Sequence, residues 1–379
     1  MGRRPKAALL YNDPRPVVGI TMGDPAGVGP EIIAKALCDP EIRDTLRPIV
    51  YGDKGVMTRV VKQLDLPLKV QEITAVQGAR ILDDTIHVKS ISNLKVGRLR
   101  YGKPDRNCGR AMVNYIKEAV RNALSGEIDA ITTAPINKEM INEAGFRYSG
   151  HTELMAELTG SRGYAMMFAG EKIKVSLVTT HVAVRDIILR ISPGKIYKVG
   201  LLTWKALRDY FGVESPRLAV CSLNPHSGEG GLFGDEEKEI IHPAVISLQS
   251  VGIDAVGPFP PDTVFYHALN GKYDAVISMY HDQALIPVKL VHFKDAVNIT
   301  LGLNIVRTSV DHGTAYDIAG KGIADYTSMK HALIMAAKIS KIKKEREEKE
   351  KEKEKEKKRR FDEDYKERVE QSKLDRMVG

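Results

Sequence analysis

Three histidines occupy comparable positions. His181, His226 and His281 each follow a short apolar run, in KIKVSLVTTHV, PRLAVCSLNPH and YDAVISMYH. Neutral imidazole is the commonest protein metal ligand near neutral pH. Three of them, leaving open coordination positions, would bind a divalent cation able to polarise a substrate oxygen. Nitrogen donors favour zinc, cobalt, nickel or manganese over magnesium. Asp282 and Asp235 are carboxylates that would orient such ligands; solvated turn residues account for them equally well. Each histidine taken singly also fits a hydrogen-bonded structural role, and only the shared placement groups them.

A second set of residues suits an anion. GDPAGVGPE (Gly23–Glu31) is a glycine-rich turn between a strand and a helix, where backbone N–H groups can meet a negative charge. It matches neither the GxGxxG fingerprint nor the Walker pattern, and a tight turn demanded by packing explains it as well. In GHTEL (Gly150–Leu154), His151 and Thr152 open a helix; Thr152 is a cap or the pair holds a phosphate. Lys289 and Arg307 are basic residues in apolar, strand-like sequence, with Asn298 between them. Basic side chains in such settings are usually paired, and an anionic ligand is one partner; a surface edge strand is the other reading. DHGTAYDIAGKG (Asp311–Gly322) is a polar loop with the composition to hold a nucleotide, or simply a loop.

The elements that must position these groups alternate. VVGITM (Val17–Met22), RPIVYG, DAITTAP, KIKVSLVTTHV (Lys172–Val182), PRLAVCSLNP and YDAVISMYHD read as strands, with amphipathic helices near Gly55–Leu64 and Gly109–Leu124. Such alternation predicts an α/β protein with a largely parallel sheet and ligands beyond the carboxyl ends of its strands.

Composition narrows the class. The 379 residues are 43% hydrophobic and 28% charged, enough for one large core or two medium ones. No apolar run would span a bilayer, and residues 1–16, a loose basic arm ending in DPRP, lack the features of a signal peptide; a cytoplasmic location is expected. Cys38, Cys108 and Cys221 are far apart, which fits reduced thiols and not a disulfide framework or cysteine zinc site. The net charge is +8, but from Lys343 to Arg360 every residue is charged, eleven Lys or Arg against seven Glu, and that run holds half of it. The tail after Ile342 lacks an apolar stripe and is expected to be a solvated, fraying helix or a disordered extension. Its interleaved acids argue against nucleic acid as a partner.

Taken together, ITMGDPAGVGPEI, ITTAPINKE, SGHTEL, TTHVAVRD, SLNPHSGEGGLFGDEE, PPDTVF, MYHDQALIPVK, VNITLGL and RTSVDHGTA resemble the 4-hydroxythreonine-4-phosphate dehydrogenase family of the vitamin B6 pathway, in order from about Val17 to Ile339. The resemblance implies a fold like that of isocitrate and isopropylmalate dehydrogenases, with two α/β subdomains around a cleft. Residues 17–140 and 301–341 would form the first, residues 141–300 the second with the metal site, and residues 342–379 a charged extension. It implies a homodimer with a shared active site, no membrane, and NAD or NADP bound without a GxGxxG loop. By the same resemblance His181, His226 and His281 match the family's metal ligands, for zinc, cobalt, manganese or magnesium. His151, Thr152, Lys289, Asn298 and Arg307 match substrate-binding positions, and Asp311, His312, Gly313 and Thr314 match the loop near the cofactor's adenosine end. His151 and Lys289 are the candidate proton acceptors. The implied reaction is oxidation and decarboxylation of 4-phosphohydroxy-L-threonine to 3-amino-2-oxopropyl phosphate, in pyridoxal phosphate biosynthesis. HDQALIPVKL is equally similar to a branch that oxidises D-threonate or D-erythronate 4-phosphate. A non-catalytic phospholigand-binding protein is the alternative outside enzymes.

Overall fold

The apolar run Val17–Thr21 (β1) is buried along its whole length and pairs in parallel on both sides, with Arg47–Gly52 (β2) and Ala130–Thr133 (β5). Such a strand needs apolar residues at every position, because both faces meet helices. The computed structural model describes residues 13–77, 82 and 84–378; the first twelve residues of the expected arm lie outside them. The remaining strands are Lys69–Ile73 (β3), Thr85–Ser90 (β4), Ala165–Ala169 (β6), Lys174–Leu177 (β7), Arg217–Cys221 (β8), Asp254–Phe259 (β9), Ala275–Ser278 (β10), Val297–Leu301 (β11) and Arg307–Ser309 (β12). The helices are Gly29–Ala36 (α1), Pro40–Thr45 (α2), Lys54–Gln63 (α3), Arg106–Leu124 (α4), Lys138–Glu143 (α5), His151–Leu158 (α6), Pro193–Phe211 (α7), His242–Ser250 (α8), Pro261–Leu269 (α9), His281–Val291 (α10) and Thr327–Val378 (α11).

All twelve strands join one sheet, ordered β3-β4-β2-β1-β5-β12-β11-β6-β7-β10-β8-β9, which runs through both subdomains expected from the sequence. The α/β class is as expected, but the sheet is mixed. β12, β11, β6 and β7 are antiparallel neighbours between two parallel flanks. Short connections cause this: only residues 170–173 join β6 to β7, and 302–306 join β11 to β12, too few for the crossover that a parallel pair requires. The strand expected over Lys172–Val182 is therefore the second arm of a hairpin, β7, and ends at Leu177. Lys289 lies on helix α10, not in a strand.

Two apolar clusters fill the faces of the sheet. Close helix contact is possible at Gly109, in α4, because a Cβ built there would run into the Met140 carbonyl at α5. Gly109→Ala is expected to destabilise the protein by about 1–3 kcal/mol, read as a lower urea midpoint at unchanged slope; an unchanged midpoint would show that α5 yields freely.

Helix α11 begins in the core, with Met329, Leu333, Ala336 and Ala337 buried, and continues without interruption into the charged tail. The first turns of that tail touch the body, through Lys344 with Asp129 at 2.6 Å and Arg346 with Asp209 at 3.2 Å. Farther out, Arg346–Glu350 and Arg360–Glu356 are unlike charges four residues apart, spaced to support an isolated helix. No helix among the described residues is long and apolar enough to cross a membrane.

Candidate active site

A cavity of about 920 Å³ lies against the antiparallel middle of the sheet. Its walls include Arg307 and Ser309 of β12, Asn298 of β11, Met166 of β6 and Leu177 of β7. The site thus adjoins the place where the sheet changes direction, and is not confined to strand ends as the sequence led one to expect. Helix α6 enters it N-terminus first: Gly150, His151 and Thr152 line the wall, and no side chain caps that end. Thr152 is thus not the cap. Uncapped N–H groups and the helix dipole suit an anion.

Arg307 is 3% exposed. Its two terminal nitrogens donate to Thr300 Oγ1 at 2.8 Å and Thr133 Oγ1 at 2.7 Å, and its Nε has no partner. No carboxylate neutralises it among the described residues, and burial pushes its pKa down to about 10. A buried guanidinium left in that state calls for an anion from outside. His151, half-buried with its Nε2 shielded from solvent, lines the same cavity. Desolvation, then the positive charges of Arg307 and Lys138, hold its imidazole well below the ordinary histidine range, so it is neutral, with Nε2 unpartnered. Asn298 Oδ1 is likewise unpartnered. Arg307, His151 and Asn298 thus each bring one unpartnered polar atom to the lining of a single cavity, an arrangement a polar ligand would suit.

Because His151 is neutral when folded and titrates near 6.5 when unfolded, the unfolded chain takes up the extra proton. Stability is therefore unaffected above about pH 6.5 and falls as pH drops below it. His151→Gln is expected to lessen that fall by up to about 1.4 kcal/mol at one pH unit below, measured by urea unfolding at both pH values. An identical pH dependence in the variant would refute the neutral assignment.

Strands β7, β10 and β8 are adjacent and parallel, so their carboxyl ends bring His181, His281 and His226 to the same edge. The structure pairs two of them. The His181 and His281 rings lie 5.7 Å apart between centroids, and His281 Nδ1 bonds Asp282 Oδ1 at 2.7 Å, the orienting contact expected of that carboxylate. Burial, then Lys138 and His281, lowers the pKa of His181, which favours the neutral form that binds metal. His226 makes no ring contact with that pair among the described residues. It sits in a loop where every residue from His226 to Gly230 has positive φ, its ring edge-on to Phe233 at 6.3 Å and its Nδ1 3.5 Å from Glu229. Among the described residues no three His, Cys, Asp or Glu side chains come together to hold a metal ion. The expected triad is thus present in one chain only as a pair plus a third ring at the neighbouring strand end. Among the described residues Asp235 makes no hydrogen bond to an imidazole; Glu237, which the sequence did not single out, anchors this loop by accepting from the Leu223 and Asn224 N–H groups at 2.8 and 2.7 Å.

Lys289 lies outside the large cavity. It lines a smaller hollow of about 350 Å³ with His281, Leu285, Ile286 and Asp311, and its ammonium pairs with Asp311. The basic clamp expected from Lys289 and Arg307 together is therefore not assembled within one chain. The segment Asp311–Thr314 packs on the glycine-rich turn: the Thr314 carbonyl accepts from Val28 N at 3.0 Å, and Tyr316 Oη donates to buried Asp24. Gly23 takes φ +70 at the entry to that turn, where a Cβ would collide with the Pro135 carbonyl. Lys138, which the sequence did not single out, also lines the large cavity; the signal was a basic residue just past the end of strand β5.

Comparison with known proteins agrees with this architecture. The sequence pattern of the family described as "Pyridoxal phosphate biosynthetic protein PdxA" matches residues 44–336. A protein of Geobacter metallireducens named 4-hydroxythreonine-4-phosphate dehydrogenase is 48% identical over 329 residues, 87% of this chain and 97% of that one. A D-threonate 4-phosphate dehydrogenase of Cupriavidus necator is 44% identical, over 87% of this chain and 98% of that one. The crystal structure of a 4-hydroxythreonine-4-phosphate dehydrogenase from Klebsiella pneumoniae superposes with a TM-score of 0.81 at 40% identity, covering 86% of this chain and 99% of the other. With the family pattern spanning most of its length and close relatives matched almost end to end, the chain belongs to the PdxA family.

Proposed function

We propose that the chain is a nicotinamide-dependent dehydrogenase that oxidises 4-phosphohydroxy-L-threonine, with loss of CO2, to 3-amino-2-oxopropyl phosphate for pyridoxal phosphate biosynthesis. The observation that carries this reading is the uncompensated Arg307 guanidinium beside the unpartnered His151 Nε2 and Asn298 Oδ1. A phosphorylated hydroxy acid supplies what each lacks, an anion for the cation and a hydroxyl for the neutral acceptor. The names of the relatives in Geobacter metallireducens and Klebsiella pneumoniae support the substrate.

In this reading Arg307 and the start of α6 take the phosphate and set the reacting carbon. His151, neutral and inside the cavity, accepts the hydroxyl proton as the C–H bond gives up its hydride. Lys289, tied to Asp311 in the smaller hollow, is not the acceptor within this chain. NAD or NADP supplies the hydride acceptor. The Asp311–Thr314 segment fits such a group: His312 is exposed, and a Cβ on Gly313 would meet nothing within 4 Å, leaving an open edge. The His181 and His281 imidazoles, with His226 at the next strand end, are the donors that would hold a divalent cation, which would supply Lewis acidity at the reacting end of the substrate.

A second copy of the chain completes the site in this proposal. The segments after the three histidines carry Val184, Leu189, Leu232, Leu290 and Phe293, each more than 70% exposed. Apolar side chains in that number around a site suit a subunit interface. The three cysteines are free, in keeping with a cytoplasmic setting.

The test is NADH absorbance with 4-phosphohydroxy-L-threonine, D-threonate 4-phosphate and D-erythronate 4-phosphate, each with and without added divalent metal. Turnover of the first at the highest kcat/KM is expected. The Cupriavidus necator relative favours D-threonate 4-phosphate as the second reading, and preference for that ester would establish it. Phosphate-ester binding with no turnover of any would refute both.

A further inference from the structure

Lys138 is a cation that the proposed clamp does not use. It is the first residue of α5, just past the end of β5. Its backbone is fixed from the preceding residue, because Asn137 caps α5 through Met140 N at 3.0 Å and donates to Tyr316 Oη at 2.6 Å. The side chain lies along the wall of the large cavity with His151, Thr152 and His181. A Cβ built on Gly150 would be 3.5 Å from Lys138 Cε, so the lysine stem runs past the start of α6. The same wall carries both imidazoles, His151 and His181.

Among the described residues the ammonium has no ion pair and no hydrogen bond. The acids on the cavity wall are engaged elsewhere: Glu153 accepts from Ser149 N at 2.6 Å, and Asp186 faces Arg185 at 3.8 Å. His151 thus shares its cavity with two cations, Arg307 buried and Lys138 exposed. A phosphorylated hydroxy acid has the matching pair of anions, with its reacting hydroxyl carbon between a phosphate and a carboxylate.

We infer that Lys138 binds the carboxylate of the substrate, on the wall it shares with His151 and His181, while Arg307 and the start of α6 hold the phosphate. The inference rests on the reading of the substrate as a phosphorylated hydroxy acid. It makes Lys138 a substrate-positioning residue at the reacting end of the cavity.

The test uses the full chain with Lys138→Gln and Lys138→Arg. Loss of one charge-assisted contact should raise KM about ten- to hundredfold in Lys138→Gln, with a smaller change in kcat. Lys138→Arg keeps the charge and should return KM to within about threefold of the native value. Calorimetry with two probes locates the contact without needing turnover. D-threonate, which has a carboxylate and no phosphate, should bind Lys138→Gln at least about tenfold more weakly, and inorganic phosphate within about twofold of native. Unchanged KM and D-threonate binding, a loss of phosphate binding in its place, or an arginine variant no better than glutamine would each overturn the assignment. If the native chain oxidises none of the candidate esters, the functional reading fails, while the calorimetric comparison still judges Lys138.

Discussion

Arg307→Met is expected to lower kcat/KM about a hundred- to thousandfold while leaving the melting temperature within about 4 °C of native. The two halves of this result have one cause. The guanidinium is buried, bonded to two threonine hydroxyls and opposed by no carboxylate among the described residues, so in the free protein it is a charge kept out of water without a counter-ion. Replacing such a group with an apolar side chain of similar volume is close to neutral or stabilising. The ligand, however, loses a desolvated ion pair, an effect of about 2–5 kcal/mol. Arg307→Lys should also be impaired, because an ammonium cannot reach Thr300, Thr133 and a phosphate in the same fixed geometry. Steady-state kinetics and a thermal melt on the same preparations decide the matter. Native-like kcat/KM would remove Arg307 from the site, and a collapse in melting temperature would make it a structural residue.

The second large effect is expected at the imidazole cluster. His281→Ala and His226→Ala should each reduce turnover at least about a hundredfold and abolish saturable binding of Co2+ or Zn2+ followed by titration. Neither should lower the melting temperature appreciably, because both side chains are substantially exposed, His226 at 69% and His281 at 43%. Asp282→Ala should weaken cation affinity about 10- to 100-fold, the usual consequence of releasing a ligand's orienting partner. His226 carries the sharper test, since in one chain its ring faces Phe233 and Glu229. If His226→Ala binds cation and turns over normally, the cation belongs to the His181–His281 pair alone. If His281→Ala does so as well, the metal should be dropped from the reaction.

Much of this was legible in the residues themselves. Apolar runs followed by polar turns marked β1, β5, β8 and β10, because a strand buried on both faces tolerates little else. His151, Thr152, Asn298, Arg307 and His181 were all singled out before any fold was known, and all five line one cavity. Local chemistry offered each of them with a structural reading beside it, and it was the resemblance to the dehydrogenase family that grouped them as one site. What the chain could not announce locally was direction and company. Two short connections turned the middle of the sheet antiparallel and put the cavity against it. Lys289, in a segment that reads as apolar strand, was carried off on α10 to pair with Asp311, and Lys138, unremarkable in the sequence, was brought to the cavity wall that His151 and His181 share. Side-chain type and spacing are properties of a few neighbouring residues. Which groups meet depends on how segments more than a hundred residues apart are stacked, and that is decided by the packing of the whole core.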